Sequence, residues 1–438
     1  MLLNAADKAL WRLALPMIFS NITVPLLGLV DTAVIGHLDS PVYLGGVAVG
    51  ATATSFLFML LLFLRMSTTG LTAQAWGAKD PQRLARALVQ PLALALGAGV
   101  LIILLRLPLI DLALHIVGGS EAVLEQARRF LEIRWLSAPA SLANLVLLGW
   151  LLGVQYARAP VILLVVGNLL NIVLDLWLVM DLRMNVQGAA LATVTAEYAT
   201  LIIGLLMAKR VLTLRGVSLA MLKNAWRGDL RRLLALNRDI MLRSLLLQLC
   251  FGALTVFGAR LGSDIVAVNA VLMTMLTFTA YALDGFAYAV EAHSGQAYGA
   301  RDGSQLLEVW RAACRQSGMV ALAFALIYSL AGQYIIALLT SLPSLQQLAD
   351  RYLIWQTILP VVGVWCYLLD GMFIGATRGA EMRNSMAVAA AGFAVTLLTL
   401  PVLGNHGLWL ALAVFLALRG LSLALIWRRH WRSGTWFS

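Results

Sequence analysis

The sequence predicts an all-α integral membrane protein with twelve transmembrane helices in two parallel six-helix lobes. Of its 438 residues, 61% are hydrophobic and only 12% are charged, which leaves too little polar surface to cover a soluble globule. Backbone groups in lipid must pair internally, so apolar runs of about 20 residues are expected to be helices. We place twelve such runs near residues 10–36, 44–75, 84–107, 122–155, 158–180, 187–209, 233–260, 265–298, 305–331, 349–376, 382–402 and 404–427.

An internal repeat divides these runs into two sets of six. The heptapeptide Gln-Ala-Trp-Gly-Ala-Lys-Asp that begins at Gln74 returns as Gln-Ala-Tyr-Gly-Ala-Arg-Asp from Gln296, a shift of 222 residues, and Gly153 maps onto Gly375 by the same shift. One offset that holds across each half indicates a duplicated structural unit. Because six crossings return the chain to its starting side, the copies are expected to be parallel, with a pseudo-twofold axis along the membrane normal.

Polar composition between the sixth and seventh runs sets the predicted domain bounds. We expect an N-terminal lobe over residues 1–211, a basic cytoplasmic linker over 212–232 and a C-terminal lobe over 233–438.

The net charge of +11 is explained by topology. Basic residues fall in every second connection, near residues 79–86, 158, 209–232, 301–315, 378–383 and 428–432. By the positive-inside rule both termini are then cytoplasmic. A nucleic-acid partner is not expected, because it would require a soluble basic domain that the sequence lacks.

Motifs for catalysis, metal binding or nucleotide binding are missing from the sequence. There is no nucleophile elbow, no histidine cluster and no phosphate-binding loop of the Gly-x-x-x-x-Gly-Lys type. The three cysteines show no metal-ligand spacing and imply no disulfide framework. We therefore expect neither an enzyme nor a cofactor or resident metal.

Polar residues inside the apolar runs are the main functional signal, because charged groups within a bilayer cost free energy. Asp31 in the first run and Asp175 in the fifth each stand six residues before a polar outer end, about 9 Å inside it at 1.5 Å per residue. Asn171 lies four residues before Asp175 and so shares its helix face, while Asn168 and Thr193 add further polar groups. Such a cluster can exchange a proton near neutral pH, bind Na⁺ through oxygens, or lock helix packing.

The repeat restricts this cluster to the N-terminal lobe. The 222-residue shift carries Asp31 to Ala253, and it carries Asn171 and Asp175 to Phe393 and Leu397.

The C-terminal lobe has acidic interruptions of its own at Asp284, Glu291 and Asp370. These carboxylates are candidates to line a substrate cavity that attracts cations. The alternative is that Asp370 and Glu291 belong to the cytoplasmic vestibule.

These features together resemble the multidrug and toxic compound extrusion (MATE) family, and within it the DinF subfamily. The resemblance rests on the two six-helix lobes, the repeated heptapeptide, Asp31, and the pair Asn171 and Asp175, and it extends over nearly the whole chain. It implies a V-shaped, multi-pass exporter of the bacterial inner membrane. It also implies that Asp31, Asn171, Asp175 and Thr193 form the proton site, or a Na⁺ site at the first three.

Two departures from the family pattern bear on the coupling ion. A position where relatives often carry a tyrosine that faces this site is Phe130 here, another candidate cavity residue. The intramembrane stretch of the seventh run, from Ser244 to Gly258, is free of carboxylates and so lacks the acidic residue of the Na⁺-coupled branch, which favours H⁺.

The leading interpretation is a secondary active multidrug antiporter that works by alternating access. It would export apolar, often cationic drugs or toxic metabolites in exchange for H⁺, or for Na⁺, as a monomer in the bilayer. The alternative is a flippase for lipids or lipid-linked precursors from the same superfamily.

Overall fold

The computed structural model describes the backbone of residues 3–36, 38, 40–228 and 230–438, and their side chains except those of residues 23–33. Within this part of the chain the protein is almost entirely helical and contains no β-strand. The helices are α1 Ala5–Gly36, α2 Pro41–Leu60, α3 Phe63–Gly77, α4 Pro81–Leu104, α5 Arg106–Val117, α6 Glu121–Arg134, α7 Ala138–Gly153, α8 Arg158–Asp175, α9 Asn185–Leu214, α10 Leu219–Asn224, α11 Leu230–Arg260, α12 Ser263–Ala300, α13 Gly303–Leu339, α14 Pro343–Gly375, α15 Gly379–Thr396, α16 Leu400–Leu403 and α17 Asn405–Ser433.

Eleven helical segments in the described residues are long and apolar enough to cross a membrane, which agrees with the predicted all-α membrane fold. They begin at Pro41 and end at Ser433. The 32-residue helix α1 matches the first predicted span, but part of it lies outside the described side chains.

The repeated heptapeptide forms the same turn twice. Lys79 and Arg301, which are 222 residues apart, both adopt a left-handed backbone conformation with φ of 54°. Each is followed by an aspartate that caps the next helix: Asp80 accepts hydrogen bonds from the backbone N–H of Gln82 and Arg83, and Asp302 from that of Gln305. The heptapeptide is therefore a helix stop, a turn and a helix start.

Several predicted spans are interrupted in the structure. The span near 122–155 is divided into α6 and α7 by a 3₁₀ turn, Trp135–Ser137, which precedes Pro139. Proline has no N–H to continue the helical hydrogen bonding, so a break at this point is expected. The span near 44–75 is divided into α2 and α3. At the break, the backbone N–H groups of Leu61 and Leu62 donate hydrogen bonds to the carbonyls three residues earlier instead of four.

The helices form two compact units. One unit comprises Ile22–Leu233, and the other comprises Met1–Asn21 together with Leu234–Ser438. The first turns of α1 thus belong with the C-terminal helices, where Trp11 donates its indole N–H to Gln316 over 2.9 Å. The sequence-based bounds at 211 and 233 place these turns in the N-terminal lobe. Those bounds remain a prediction of which residues move together as a lobe.

Each unit is built around buried aromatic side chains. Trp135 and Trp150 are fully buried in the unit Ile22–Leu233, and Trp409 and Phe415 are fully buried in the other.

Candidate functional site

Helices α8 and α9 bring predicted site residues of the first unit together. Asn171 and Asp175, one turn apart on α8, are only 2% and 1% exposed. The side-chain amide of Asn171 donates to the hydroxyl oxygen of Thr193 on α9 over 3.4 Å. The Thr193 hydroxyl in turn donates to the backbone carbonyl of Ala189 over 3.2 Å. A carboxylate, an amide and a hydroxyl therefore lie along one contact between two membrane-spanning helices.

A glycine permits the close approach of these helices. A Cβ atom placed on Gly167 would lie 2.8 Å from the hydroxyl oxygen of Thr200 on α9. Gly167 stands one turn before Asn171, so the absence of a side chain there brings α9 within hydrogen-bonding distance of the polar face of α8.

The backbone of α8 changes its hydrogen-bonding pattern immediately after Asp175. Residues Leu176–Asp181 form a π-helical turn, in which the N–H of Leu182 bonds to the carbonyl of Trp177 five residues back, over 3.0 Å. Such turns are rare and occur frequently at functional sites.

The side-chain amide of Asn171 is only partly satisfied. The amide oxygen Oδ1 of Asn171 is buried and accepts no hydrogen bond from the residues that the structure describes. A buried acceptor without a donor costs about 1–3 kcal/mol, so this oxygen is a favourable point for a proton-bearing or cationic group. The backbone of Asp31 belongs to α1, but its side chain lies outside the described residues.

The two other candidates of this unit differ in burial. Phe130 on α6 is 6% exposed and packs with Val179 and Ala189 in an apolar cluster beside the polar pair. Gly50 on α2 makes room for its ring, because a Cβ there would lie 2.5 Å from the ring carbon Cδ1. Asn168 on α8 is half-buried.

The equivalent positions of the second unit are apolar in the structure as well as in the sequence. Phe393 is buried and meets Phe415 edge to face, with ring centroids 6.1 Å apart. Leu397 packs against the same core. This unit therefore has no polar pair at the positions of Asn171 and Asp175.

The three acidic candidates of the second unit lie in different environments. Asp370 on α14 is 7% exposed, and its oxygen Oδ2 accepts hydrogen bonds from Arg243 at 2.6 Å and from Arg419. Glu291 on α12 is also buried, whereas Asp284 on the same helix is half-buried. Asp370 is thus held between two buried guanidinium groups.

The sequence interpretation did not single out Arg419. An arginine inside the last apolar run indicates a buried ionic partner, because an unpaired charge in the bilayer costs free energy. The 222-residue shift maps Arg419 onto Glu197 of the first unit. Glu197 accepts a hydrogen bond from the amide of Asn144 over 3.0 Å. The two repeats therefore place opposite charges at equivalent points of their helix bundles.

Comparison with known proteins assigns this helical architecture to a class of membrane transporters. The sequence matches the MatE family over residues 16–177 and 240–403, and the chain belongs to this family. Its homologues are multidrug-resistance transporters of the MATE type rather than enzymes.

Individual relatives cover nearly the whole chain. The sequence is 87% identical to DNA damage-inducible protein F of Escherichia coli, over 100% of this chain and 95% of the relative. It is 23% identical to the probable multidrug resistance protein NorM of Acinetobacter baylyi, over 96% and 94%. A solved outward-facing multidrug resistance MATE transporter has the same fold, with a TM-score of 0.86 at 23% identity over 99% of this chain and 97% of that one. The resemblance inferred from the sequence is confirmed.

Proposed function

We propose that this protein is a proton-coupled antiporter that exports apolar, often cationic small molecules by alternating access. It acts as a monomer in the bacterial inner membrane, with both termini in the cytoplasm. The repeats serve as two functional lobes, 1–211 and 233–438, joined by the linker 212–232. Membership of a transporter family supports the export of small molecules, and the DinF-type bacterial relative supports the location.

The burial of Asp175 beside Asn171 and Thr193 carries the proposal. An ionised carboxylate that is 1% exposed in a membrane-spanning helix has lost its hydration, and its protonation removes that cost. We infer that this carboxylate exchanges a proton as the site alternately closes and opens to water. Asp31 is the second proposed proton carrier, at the depth on α1 that the sequence predicts.

Coupling to export follows from competition for this carboxylate. A cationic drug and a proton both neutralise the same negative charge, so occupation by one disfavours the other. Protonation from the outer side would release the drug outward, and proton release inside would restore affinity for the next drug molecule.

The test is export of a cationic dye from proteoliposomes under an imposed pH gradient or an imposed Na⁺ gradient. We expect the pH gradient to drive export in the wild type, and Asp175→Asn and Asp31→Asn each to reduce the coupled rate by about tenfold or more, as for other essential proton-transfer groups. Asp111→Asn is the matched control, because Asp111 is an exposed carboxylate paired with Arg128 at the surface.

Undiminished proton-driven export by Asp175→Asn would refute the proposed site. Export driven by Na⁺ alone would refute proton coupling while leaving the site intact. Movement of labelled lipid without dye export would favour the flippase alternative.

A further inference from the structure

A small cavity in the unit Ile22–Leu233 lies beside the first copy of the repeated heptapeptide. Its volume is about 110 Å³. Arg83, Arg86 and Arg232 line it together with the amide of Gln90, and the remaining wall is apolar. Sites for drug-sized ligands measure about 300–1,000 Å³, so this cavity suits a single small charged group rather than a transport substrate.

The positive charge of this cavity is only partly balanced. The guanidinium of Arg83 is repelled by Arg86 and Arg232 and attracted by Asp80, whose carboxylate already caps α4. The Nε atom of Arg86 is buried and has no hydrogen-bond acceptor among the described residues. Among the described residues, the carboxylate of Asp80 thus faces three arginines, which leaves a net positive charge.

The second unit provides a direct comparison at the equivalent helix start. A cavity at the beginning of α13 is lined by Arg311 and Arg315, but also by Glu308, which the 222-residue shift aligns with Arg86. Arg315 is paired there with Asp7 over 3.0 Å. Among the described residues at these two cavities, carboxylates balance the arginines in the second repeat, whereas positive charge exceeds negative charge in the first.

We propose that Arg83, Arg86 and Arg232 bind a phosphate group, carried either by the headgroup of an anionic phospholipid or by free phosphate. Guanidinium groups match phosphate oxygens in geometry and charge, and a phosphate would supply the acceptor that Arg86 Nε lacks. The apolar wall of Leu71, Pro91 and Leu233 suits the glycerol and first methylene groups of a lipid.

The bound phosphate would hold the linker against α3 and α4. Arg232 donates to the side-chain oxygen of Gln74, and Gln90 donates to the carbonyl of Trp226 over 3.3 Å. The guanidinium of Arg86 packs so closely on Gly228 that a Cβ there would lie 2.8 Å from its central carbon. A phosphate that neutralises the arginines strengthens these contacts by removing the repulsion between them.

The test measures lipid retention by native mass spectrometry of the full-length protein in detergent. We expect the wild type to retain phosphatidylglycerol in preference to phosphatidylethanolamine. The double variant Arg83→Gln with Arg86→Gln is expected to weaken retention by about tenfold or more, because each lost charge-assisted hydrogen bond contributes at least about that factor. Arg311→Gln is the matched control in the second unit and is expected to change retention little, and Arg86→Lys, which keeps the charge, is expected to weaken it less than the double variant.

Thermal stability distinguishes the two sources of the phosphate group when it is measured without additions, with phosphatidylglycerol and with inorganic phosphate. Stabilisation of the wild type by phosphatidylglycerol alone would assign the site to a lipid headgroup, whereas equal stabilisation by inorganic phosphate would assign it to free phosphate. Without either addition, the folded double variant should be at least as stable as the wild type, because it removes repelling charges. Equal lipid retention and equal stabilisation of the wild type and the folded double variant would overturn the proposal.

Discussion

The buried triad of Asp370, Arg243 and Arg419 yields the most quantitative prediction. All three residues are less than 8% exposed, and Asp370 is the acceptor that the two arginines share. The substitution Asp370→Asn keeps the size of the side chain and one oxygen acceptor, but removes the negative charge. Two buried guanidinium groups are then left without an ionic partner in this contact.

The expected cost is large because the arginines cannot regain their hydration. Removing one partner from a buried ion pair destabilises proteins by about 3–5 kcal/mol. Replacing the whole triad by Met, Leu and Met at positions 243, 370 and 419 should recover most of this loss, since buried ion pairs often contribute little net stability over apolar packing. The first repeat already carries a leucine, Leu148, at the position equivalent to Asp370.

The assay is denaturant unfolding in detergent micelles, followed by tryptophan fluorescence, with all single variants and the triple variant compared. A loss below about 1 kcal/mol for Asp370→Asn would refute the assignment of the triad as a buried ionic contact. Dye affinity of the folded fraction is measured in parallel. Unchanged affinity agrees with a structural role, and a selective loss of affinity would instead place Asp370 in the substrate cavity.

Two further predictions concern packing and topology. Gly99→Ala should destabilise the first unit by about 3 kcal/mol, because its Cβ would lie 2.3 Å from the backbone of Pro139. Gly97→Ala on the same helix is the control: its Cβ would meet no atom within 4 Å, and it should change stability by less than about 1 kcal/mol. Denaturant unfolding of both variants measures the difference. In a cysteine-free background, Lys223→Cys should react with a membrane-impermeant thiol reagent only after the inner membrane is opened, and Ser341→Cys should react in spheroplasts. The reverse labelling pattern would contradict cytoplasmic termini.

The helical membrane fold could be predicted because lipid leaves the backbone few alternatives. Apolar runs and the 222-residue shift locate the helices, and the paired left-handed residues Lys79 and Arg301 show that the repeat is a structural one. Asn171 and Thr193 interrupt the apolar runs of neighbouring spans and lie in contact in the structure, while their role in coupling stays a prediction.

The sequence could not show which buried side chains pair with each other in the folded protein. A carboxylate such as Asp370 looks the same in a sequence whether it faces a cavity or two arginines, because ion pairing depends on which helix faces meet. The arginines near Lys79 were interpreted as a topology signal only. Their convergence on one cavity with Arg232, about 150 residues further along the chain, depends on tertiary packing.

The irregular end of α8 has a counterpart in the second unit, and the comparison has a mechanical consequence. The 222-residue shift maps the π-helical turn Leu176–Asp181 onto residues 398–403, which overlap a 3₁₀ turn at Leu397–Thr399 that follows α15. Weakened helical hydrogen bonding makes local bending less costly in both places. The first of these two turns directly follows an ionisable residue, Asp175, and the second follows Thr396. Under the proposed function we therefore expect a change of charge to affect bending at the turn in the first unit and not at the turn in the second.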